Sequence, residues 1–268
     1  MKTALIAGLI LTIVATQAKA QTVTLYDGSR NTSFSAQSWS AIVSPSSETV
    51  SSGGTTLNTT ASDSLRGGYS LFSQLDRTQG YTLGFSLQLL SEAHRSRDRA
   101  GFSIIVLSSD RQGIELGFWT NDAQSGDRIW AQNDGATKPP RFTHAEGTAF
   151  NPARSIVRYD LSIKGDRYGL FANRNFQAPI LTGKLRNYSP EGMPYNLPNF
   201  IFLGDNTTSA NGSVRITRVD LSRSAIPFSP IAARARIAST PTVAPEPVTI
   251  LGSGAAIAIA GILQRKRR

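Results

Sequence analysis

The chain has 268 residues, with 28 Lys and Arg against 18 Asp and Glu, a formal charge of +10 and no cysteine. The missing cysteines exclude disulfides, thiol chemistry and thiolate metal sites. The positive charge lies mainly at the two ends, because residues 21–222 contain nineteen Lys and Arg and seventeen Asp and Glu. A nucleic-acid-binding domain needs its basic residues clustered on a folded face, so this balance argues against nucleic acid as a partner.

The first twenty residues have the features of a secretory signal peptide. Lys2 gives a positive start, residues 4–15 are apolar, and Ala18 and Ala20 are the small residues that a signal peptidase reads. We expect cleavage after Ala20, so that the mature chain begins at Gln21. The sequence therefore predicts an exported protein that is processed by signal peptidase.

Residues 21–222 are predicted to form one all-β domain. Short runs rich in Val, Ile, Phe and Tyr alternate with turns rich in Gly, Asn, Asp and Ser, and no amphipathic helical stretch interrupts them. Ten strands in a domain of this size favour a two-sheet antiparallel sandwich of the jelly-roll type. The predicted strands are 22–26, 68–72, 81–90, 100–107, 113–120, 128–132, 155–164, 167–173, 200–204 and 213–221.

Side-chain alternation assigns faces and marks irregularities in these strands. In the strand 155–164, Ile156 is out of phase with the later apolar residues, which predicts a bulge near Val157. Gly165 and Asp166 predict a tight hairpin connection. The final strand changes phase between Ile216 and later residues, which indicates a bulge or a crossing between sheets.

Residues 223–244 differ from the domain in composition. They are rich in Ala, Arg, Ser, Thr and Pro, and Pro227, Pro230 and Pro241 would break any long helix. We predict an extended, mostly disordered spacer here.

The final residues combine a Pro-Glu-Pro triplet, an apolar stretch and a basic end. The stretch 248–263 has sixteen residues without charge, just below the ~17–25 residues of a spanning helix. This arrangement resembles the PEP-CTERM sorting signal of bacterial envelope proteins. The resemblance implies recognition by an exosortase-type membrane protease and cleavage near the triplet, so that membrane contact is transient; a plain anchor is the alternative. The residues of the signal are Pro245, Glu246, Pro247, Arg265, Lys266, Arg267 and Arg268.

The domain is similar to the concanavalin A-like jelly-roll domains of exported bacterial proteins, in particular to choice-of-anchor domains, which occur beside varied surface-anchoring tails. The resemblance implies the fold and glycan-related work as a class, and it assigns no catalytic residue. The segments that carry it are 98–109, 113–119, 128–135 and 199–210.

Two strands predicted to pair across the loop 121–127 would bring a sugar-binding set of side chains together. Glu115 and Trp119 share the non-core face of the first strand, and Arg128, Trp130 and Gln132 share one face of the second. Indoles stack on the C–H surfaces of sugars, and the polar groups hydrogen-bond hydroxyls. The alternative is that both indoles pack beneath a neighbouring loop, since indoles are highly buried on average.

Two sets of residues are candidates for metal binding, and neither matches an established motif. His94 and His144 each lie near an acidic residue, in stretches expected to be exposed polar loops, and together would suit a divalent metal. A second set would offer hard oxygen ligands to calcium, without EF-hand spacing; it comprises Asn121, Asp122, Asp127, Asn133 and Asp134. Because Asn and Asp also form turns without any metal, the sequence predicts no cofactor.

No catalytic residue is predicted. The available glutamates, Glu92, Glu115 and Glu146, form no close pair on one strand face of the kind that glycoside hydrolysis by two carboxylates uses. GxSxG, P-loop and dinucleotide-binding motifs are absent from the sequence. The sequence favours a non-catalytic exported module that binds glycan or contributes to an extracellular polysaccharide matrix. A polysaccharide hydrolase or lyase of the same fold and a purely structural envelope protein are the alternatives.

Overall fold

The computed structural model describes residues 21–42, 47–121, 126, 128–135 and 142–229. The predicted signal peptide, residues 230–244 of the predicted spacer and the sorting tail lie outside them. No helix within this part of the chain has the length and apolar character to cross a membrane.

The described residues form sixteen strands and three single-turn 3₁₀ helices, at Gly28–Arg30, Ser35–Gln37 and Ser189–Glu191. The strands are β1 Thr22–Asp27, β2 Ser40–Ile42, β3 Glu48–Ser51, β4 Gly54–Asn58, β5 Gly67–Phe72, β6 Tyr81–His94, β7 Ser103–Leu107, β8 Gln112–Phe118, β9 Ile129–Gln132, β10 His144–Thr148, β11 Val157–Lys164, β12 Arg167–Ala172, β13 Leu181–Lys184, β14 Arg186–Asn187, β15 Phe200–Asp205 and β16 Ala210–Ser222.

The strands form two eight-stranded antiparallel sheets. Sheet A has the order β13-β12-β11-β6-β16-β4-β3, with β1 also paired to β16. Sheet B has the order β10-β9-β8-β7-β15-β5-β2, with β14 also paired to β8. The predicted two-sheet antiparallel sandwich is therefore confirmed.

The core lies between the two sheets because alternate side chains of their central strands are apolar. Phe118 of sheet B meets Phe85 and Tyr159 of sheet A edge-on, with ring centroids 6.3 and 5.8 Å apart. Burying a large apolar side chain contributes about 1.5–3 kcal/mol, so this layer supplies most of the drive for folding.

The register confirms some of the predicted irregularities and corrects one. Lys164 pairs with Arg167 across the two-residue turn, and Gly165 there has a φ of +61°, as a tight hairpin requires. The strand β16 shifts register between Ile216 and Arg218, so the phase change is a bulge within one sheet. The predicted bulge near Val157 is wrong, because β11 begins at that residue and pairs with β6 without a register shift.

Candidate functional site

The predicted hairpin of β8 and β9 is present, with Gly117 directly opposite Trp130. Alternate residues of both strands enter the core. Glu115 of β8 and Trp130 and Gln132 of β9 therefore lie on the outer face of sheet B. Trp119 is the residue immediately after β8.

Two indoles and two imidazoles form an indole–imidazole cluster beside this hairpin. His94 stacks on Trp119 with ring centroids 4.1 Å apart, and His144 stacks on Trp130 at 3.7 Å. The indoles meet edge to face at 5.4 Å, and their exposed fractions are only 2% for Trp119 and 0% for Trp130. A Cβ at Gly117 would lie 2.7 Å from the Trp130 ring, so only glycine lets this indole lie against the sheet. This burial corresponds to the alternative in which the indoles pack beneath neighbouring segments.

Glu115 is the centre of a second buried group, the Glu115 network. Tyr195 donates its hydroxyl hydrogen to Oε2 at 2.7 Å, and the Asn206 amide donates to Oε1 at 3.3 Å. The Arg99 Nη2 atom lies 3.6 Å from the same Oε1, and Glu115 is 1% exposed. Burial and the charge of Glu115 raise the pKa of the Tyr195 hydroxyl far above its usual range, so Tyr195 stays a donor. The protein itself thus satisfies this carboxylate.

The guanidinium beside Glu115 belongs to Arg99 and not to the predicted Arg128. Arg128 precedes β9, and its backbone N–H donates to a carbonyl oxygen of β10 at 2.7 Å. Gln132 is buried and donates its Nε2 hydrogen to the carbonyl oxygen of Asp98 at 2.8 Å. Arg99 lies in the connection between β6 and β7, so its contact with Glu115 depends on the whole fold. Alternation within one hairpin gives no signal for it.

The segment between β14 and β15 covers the outer face of sheet B. Tyr188 and Tyr195 pack with Ile105 and Phe202 in a separate apolar cluster on this face. Tyr188 also donates its hydroxyl hydrogen to the carbonyl oxygen of Gln132 at 2.7 Å. Four of the five residues predicted to line a sugar-binding surface are consequently buried, and the fifth, Arg128, is half-buried.

Two further carboxyl groups near this network have raised pKa values. Burial is the main cause, and it raises the pKa of Glu92 to about 8 and that of Asp205 to about 7. Glu92 Oε1 lies 3.0 Å from Nδ1 of His94. The remaining predicted glutamate, Glu146, pairs with Arg186 at 2.5 Å.

The two histidines lie on strands, which corrects the expectation of exposed polar loops. His94 is the last residue of β6 and His144 the first of β10. Within the described ranges no group of three His, Asp or Glu side chains could hold a metal ion. Of the predicted calcium ligands, Asp122 and Asp127 lie outside those ranges. Asp134 accepts a hydrogen bond from a backbone N–H of β14 at 3.0 Å.

The outer face of sheet A carries a row of ion pairs across three neighbouring strands. Arg158 of β11 lies 2.9 Å from Asp160 Oδ1 through Nη2 and 2.6 Å from Asp220 Oδ2 through Nη1. Arg218 of β16 contacts Asp220 from the other side at 2.9 Å. A Cβ at Gly84 would fall 1.7 Å from Nη2 of Arg158, so glycine is what lets the guanidinium cross β6.

A cavity of about 180 Å³ opens above this row. Arg158, Asp160 and Asp220 line it together with Ile226. Asp160 is 4% exposed, and no donor among the described residues reaches its Oδ2 atom. A buried carboxylate oxygen without a donor is costly, so the ion pair with Arg158 has to offset this cost.

Residues 224–228, called the strap below, contribute Ser224 and Ile226 to the lining of this cavity. Thr82 donates its hydroxyl hydrogen to the carbonyl oxygen of Ser224, and Ser162 donates to that of Ile226, both at 2.8 Å. Phe228 lies over Gly169, where a Cβ would be 2.9 Å from the ring. The first residues of the predicted spacer are therefore part of the folded domain.

Solved structures similar to this chain share its two-sheet sandwich. No family model matches the chain, and a search of curated proteins gives no match. The carbohydrate esterase vb_24B_21 from Shiga toxin-encoding bacteriophage phi24B has a TM-score of 0.53 and 12% identity, over 76% of this chain and 100% of that chain. The exoplasmic/lumenal domain of VIP36 in its Ca²⁺/Man2-bound form has a TM-score of 0.46 and 12% identity, over 77% of this chain and 90% of that chain. The potassium-bound carbohydrate recognition domain of Emp46p has a TM-score of 0.49 and 10% identity, over 76% of this chain and 97% of that chain.

The similarity is one of fold. At 12% identity it supports the jelly-roll sandwich and transfers no site residue to this chain.

Proposed function

We propose that this chain is an exported, non-catalytic module that binds carbohydrate at the cell surface or in extracellular polysaccharide. The observation that carries the proposal is the cavity on sheet A, whose lining combines Arg158, Asp160 and Asp220 with the aliphatic side chain of Ile226. The buried indole–imidazole cluster offers no comparable surface.

The size and lining of the cavity suit a sugar. Its volume of about 180 Å³ is below the ≈ 300–1,000 Å³ of pockets for drug-sized ligands, so it would hold one sugar ring or the end of a chain. The lining combines ionised and hydroxyl groups with the aliphatic side chain of Ile226. A sugar presents both O–H and C–H groups, and it would satisfy both kinds of surface.

The ends of the chain support the export part of the proposal. Ala18 and Ala20 would direct cleavage by signal peptidase, and the PEP-CTERM-like tail would be recognised by an exosortase-type protease. The mature protein would then touch the membrane only transiently. Intact-mass measurement of the native protein tests this step, and retention of residues 248–268 would identify the tail as a permanent anchor instead.

A polysaccharide panel separates this function from its alternatives. The full chain should be retained by at least one polysaccharide and should leave its length unchanged. Shortening of the polysaccharide would favour a hydrolase or lyase, and the similarity in fold to a phage carbohydrate esterase makes enzymatic activity worth testing. Absence of both retention and shortening would favour a structural envelope role.

Calcium is tested in the same preparation. The predicted oxygen ligands between Asn121 and Asp134 would stabilise the fold when calcium binds, since a ligand that prefers the native state raises its stability. A melting temperature that is the same in calcium and in chelator would argue against a calcium site.

A further inference from the structure

We propose that three cationic side chains on the outer face of sheet A, together with a neighbouring cavity, bind an acidic polysaccharide whose sugar units carry carboxylates. The three side chains, called the basic row below, belong to Lys164 of β11, Arg167 of β12 and Lys184 of β13. This inference rests on the proposed carbohydrate binding, and it adds the class of polysaccharide and a second place where the polysaccharide binds.

The basic row crosses three neighbouring strands of sheet A. Lys164 lies directly opposite Arg167 in the β11–β12 ladder, and Arg167 lies directly opposite Lys184 in the β12–β13 ladder. Directly opposite residues share one face of a sheet. That face is the outer one, because the preceding Ile163 and the following Tyr168 belong to the core. Neighbouring strands are about 4.8 Å apart, so the row repeats its positive charge at that interval.

The basic row is not neutralised by the protein itself. In the part of the chain that the structure describes, no carboxylate forms an ion pair with any of its three side chains. Two carboxylates near the row pair with other guanidiniums, Glu146 with Arg186 and Asp110 with Arg77. Asp166, at the turn of the β11–β12 hairpin, is exposed. Because like charges directly opposite each other destabilise a sheet, the row costs stability that an anionic ligand would restore.

Protection of the sheet edge explains only part of the basic row. A lysine on an edge strand hinders pairing with other chains, and Lys184 lies on β13, an edge strand of sheet A. Lys164 lies on β11, the third strand from that edge, where no such protection is needed. A line of separate charges suits a ligand that repeats its own charge along a chain, whereas a single carboxylate is bound best by two parallel N–H bonds from one guanidinium.

The basic row ends beside a cavity of about 260 Å³. The aliphatic part of Lys164 lies against Gly80, where a Cβ would be 2.8 Å from its Cδ atom, and its Nζ donates to the carbonyl oxygen of Gln79 at 2.8 Å. Both of these neighbours line the cavity, together with the side chains of Gln74 and Arg223. The two glutamines and the arginine are exposed, so a sugar unit can reach their amides and guanidinium.

The cavity also holds the carboxylate of Asp76, which is fixed by its own turn. Its Oδ1 atom accepts from the hydroxyl and the backbone N–H of Thr78, at 2.6 and 2.8 Å, and these two bonds lower the pKa of Asp76. Asp76 is therefore ionised, and with Asp166 it offsets two of the four positive charges that Arg223 and the basic row supply. The remaining positive charge favours a polyanion over a neutral chain.

A membrane surface is the other polyanion that a basic row attracts. The cavity favours the polysaccharide, because the amides of Gln74 and Gln79 suit the hydroxyls of a sugar unit, whereas anionic headgroups require only the positive charges. We therefore assign the row and the cavity to one ligand, a carboxylate-bearing chain of sugars.

The test compares variants of the full chain on two probes, polygalacturonate and its methyl ester. The two polysaccharides share one backbone and differ in the charge of their carboxyl groups. Retention is measured by affinity electrophoresis at low and at high salt, and the melting temperature of each protein is measured alongside. The row variant combines Lys164→Gln, Arg167→Gln and Lys184→Gln.

The matched control removes the same three charges from exposed positions outside the row. Arg167→Gln alone is a second variant, which removes the central charge and tests the row if the triple variant does not fold. The control variant combines Arg30→Gln, Arg97→Gln and Arg154→Gln.

We expect the unchanged chain to bind polygalacturonate more strongly than the methyl ester, with a difference that disappears at high salt, because salt screens exposed charges. The row variant should lose about 10-fold or more in affinity for polygalacturonate, since three modest charge contacts add up. Arg167→Gln should lose less, in the same direction. The melting temperature of the row variant should not fall, because opposed like charges have been removed. The control variant should keep the preference for polygalacturonate.

Three results would overturn the inference. They are an unchanged chain that prefers the methyl ester, an equal loss of affinity in the row and control variants, and a row variant that loses binding to phosphatidylglycerol vesicles but keeps binding to polygalacturonate. In each case, retention by any polysaccharide of the panel leaves the proposed carbohydrate function standing. If no polysaccharide retains the unchanged chain, the proposed function falls and this inference falls with it.

Discussion

The outer faces of the two sheets use similar residues for different ends. Each has a glycine that lets a large side chain lie against the sheet, Gly117 beneath Trp130 on sheet B and Gly84 beneath Arg158 on sheet A. Each also has a carboxylate paired with a guanidinium. On sheet B the segment between β14 and β15 closes over Glu115, whereas on sheet A a cavity remains beside Arg158 and Asp160.

The difference shows that covering, more than residue type, decides what such a group can do. Glu115 receives donors from Tyr195 and Asn206 and is only 1% exposed, so a ligand cannot reach it. Asp160 accepts a hydrogen bond from Arg158 through one oxygen, and its side chain belongs to the lining of the cavity.

The largest effect is expected from Trp130→Ala on sheet B. Removing a fully buried indole leaves a cavity, and Phe or Trp to Ala changes of this kind cost about 3–5 kcal/mol of unfolding free energy. Chemical denaturation measures the loss, and Phe72→Ala is the control because this side chain on the same sheet is 61% exposed. The folded variant should still be retained by polysaccharide. If the variant has normal stability but is no longer retained by polysaccharide, the binding site lies on sheet B and not on sheet A.

A pH dependence of stability is expected from Glu92 and Asp205. Their pKa values in the folded protein are about 8 and 7, against ordinary values of 4.5 and 3.8. Between those limits the folded state binds more protons than the unfolded state, so the stabilisation is complete below about pH 4 and is lost as pH rises through 7 and 8. Raising a pKa by one corresponds to about 1.4 kcal/mol, so the domain should unfold more readily at pH 8 than at pH 5.

Variants of the two residues test whether the pH dependence of stability comes from Glu92 and Asp205. Glu92→Gln and Asp205→Asn should each flatten the profile between pH 5 and 8, because neither amide titrates. Asp166→Asn should leave the profile as it is. A domain that becomes more stable from pH 5 to pH 8 would contradict the raised pKa values.

Periodicity is enough to predict the strands whose side chains form the core. All ten predicted strands are present, because a run such as 113–118 alternates apolar residues that must face the other sheet. Periodicity does not predict the six other strands, which are β2, β3, β4, β10, β13 and β14. Sequences such as GTTLN of β4 and HAEGT of β10 are dominated by small and polar residues, and backbone pairing with a neighbouring strand is what makes them strands.

The candidate sites divide in the same way. The placement of Glu115 and Trp130 on one face follows from alternation within a single hairpin. The contact of Arg99 with Glu115 and the cavity around Asp160 join residues far apart in the sequence. The composition of residues 223–244 predicts a disordered spacer, but the strap at its start is ordered. The hydroxyls of Thr82 and Ser162 hold the strap in place, and the composition of the segment gives no information about these distant partners.

The smallest effect on stability is expected from a substitution in the strap, Phe228→Ala. Phe228 is half-buried over Gly169 and meets Phe171 edge-on at 6.4 Å. Phe228→Ala should cost about 1 kcal/mol, near half the value of a fully buried side chain. The loss of sugar-binding free energy should exceed the loss of unfolding free energy, because Ser224 and Ile226 of the strap line the cavity. Phe176→Ala is the control, since Phe176 also meets Phe171 edge-on, at 5.9 Å, but lies outside the strap. Equal loss of sugar binding in both variants would mean that the strap contributes packing alone.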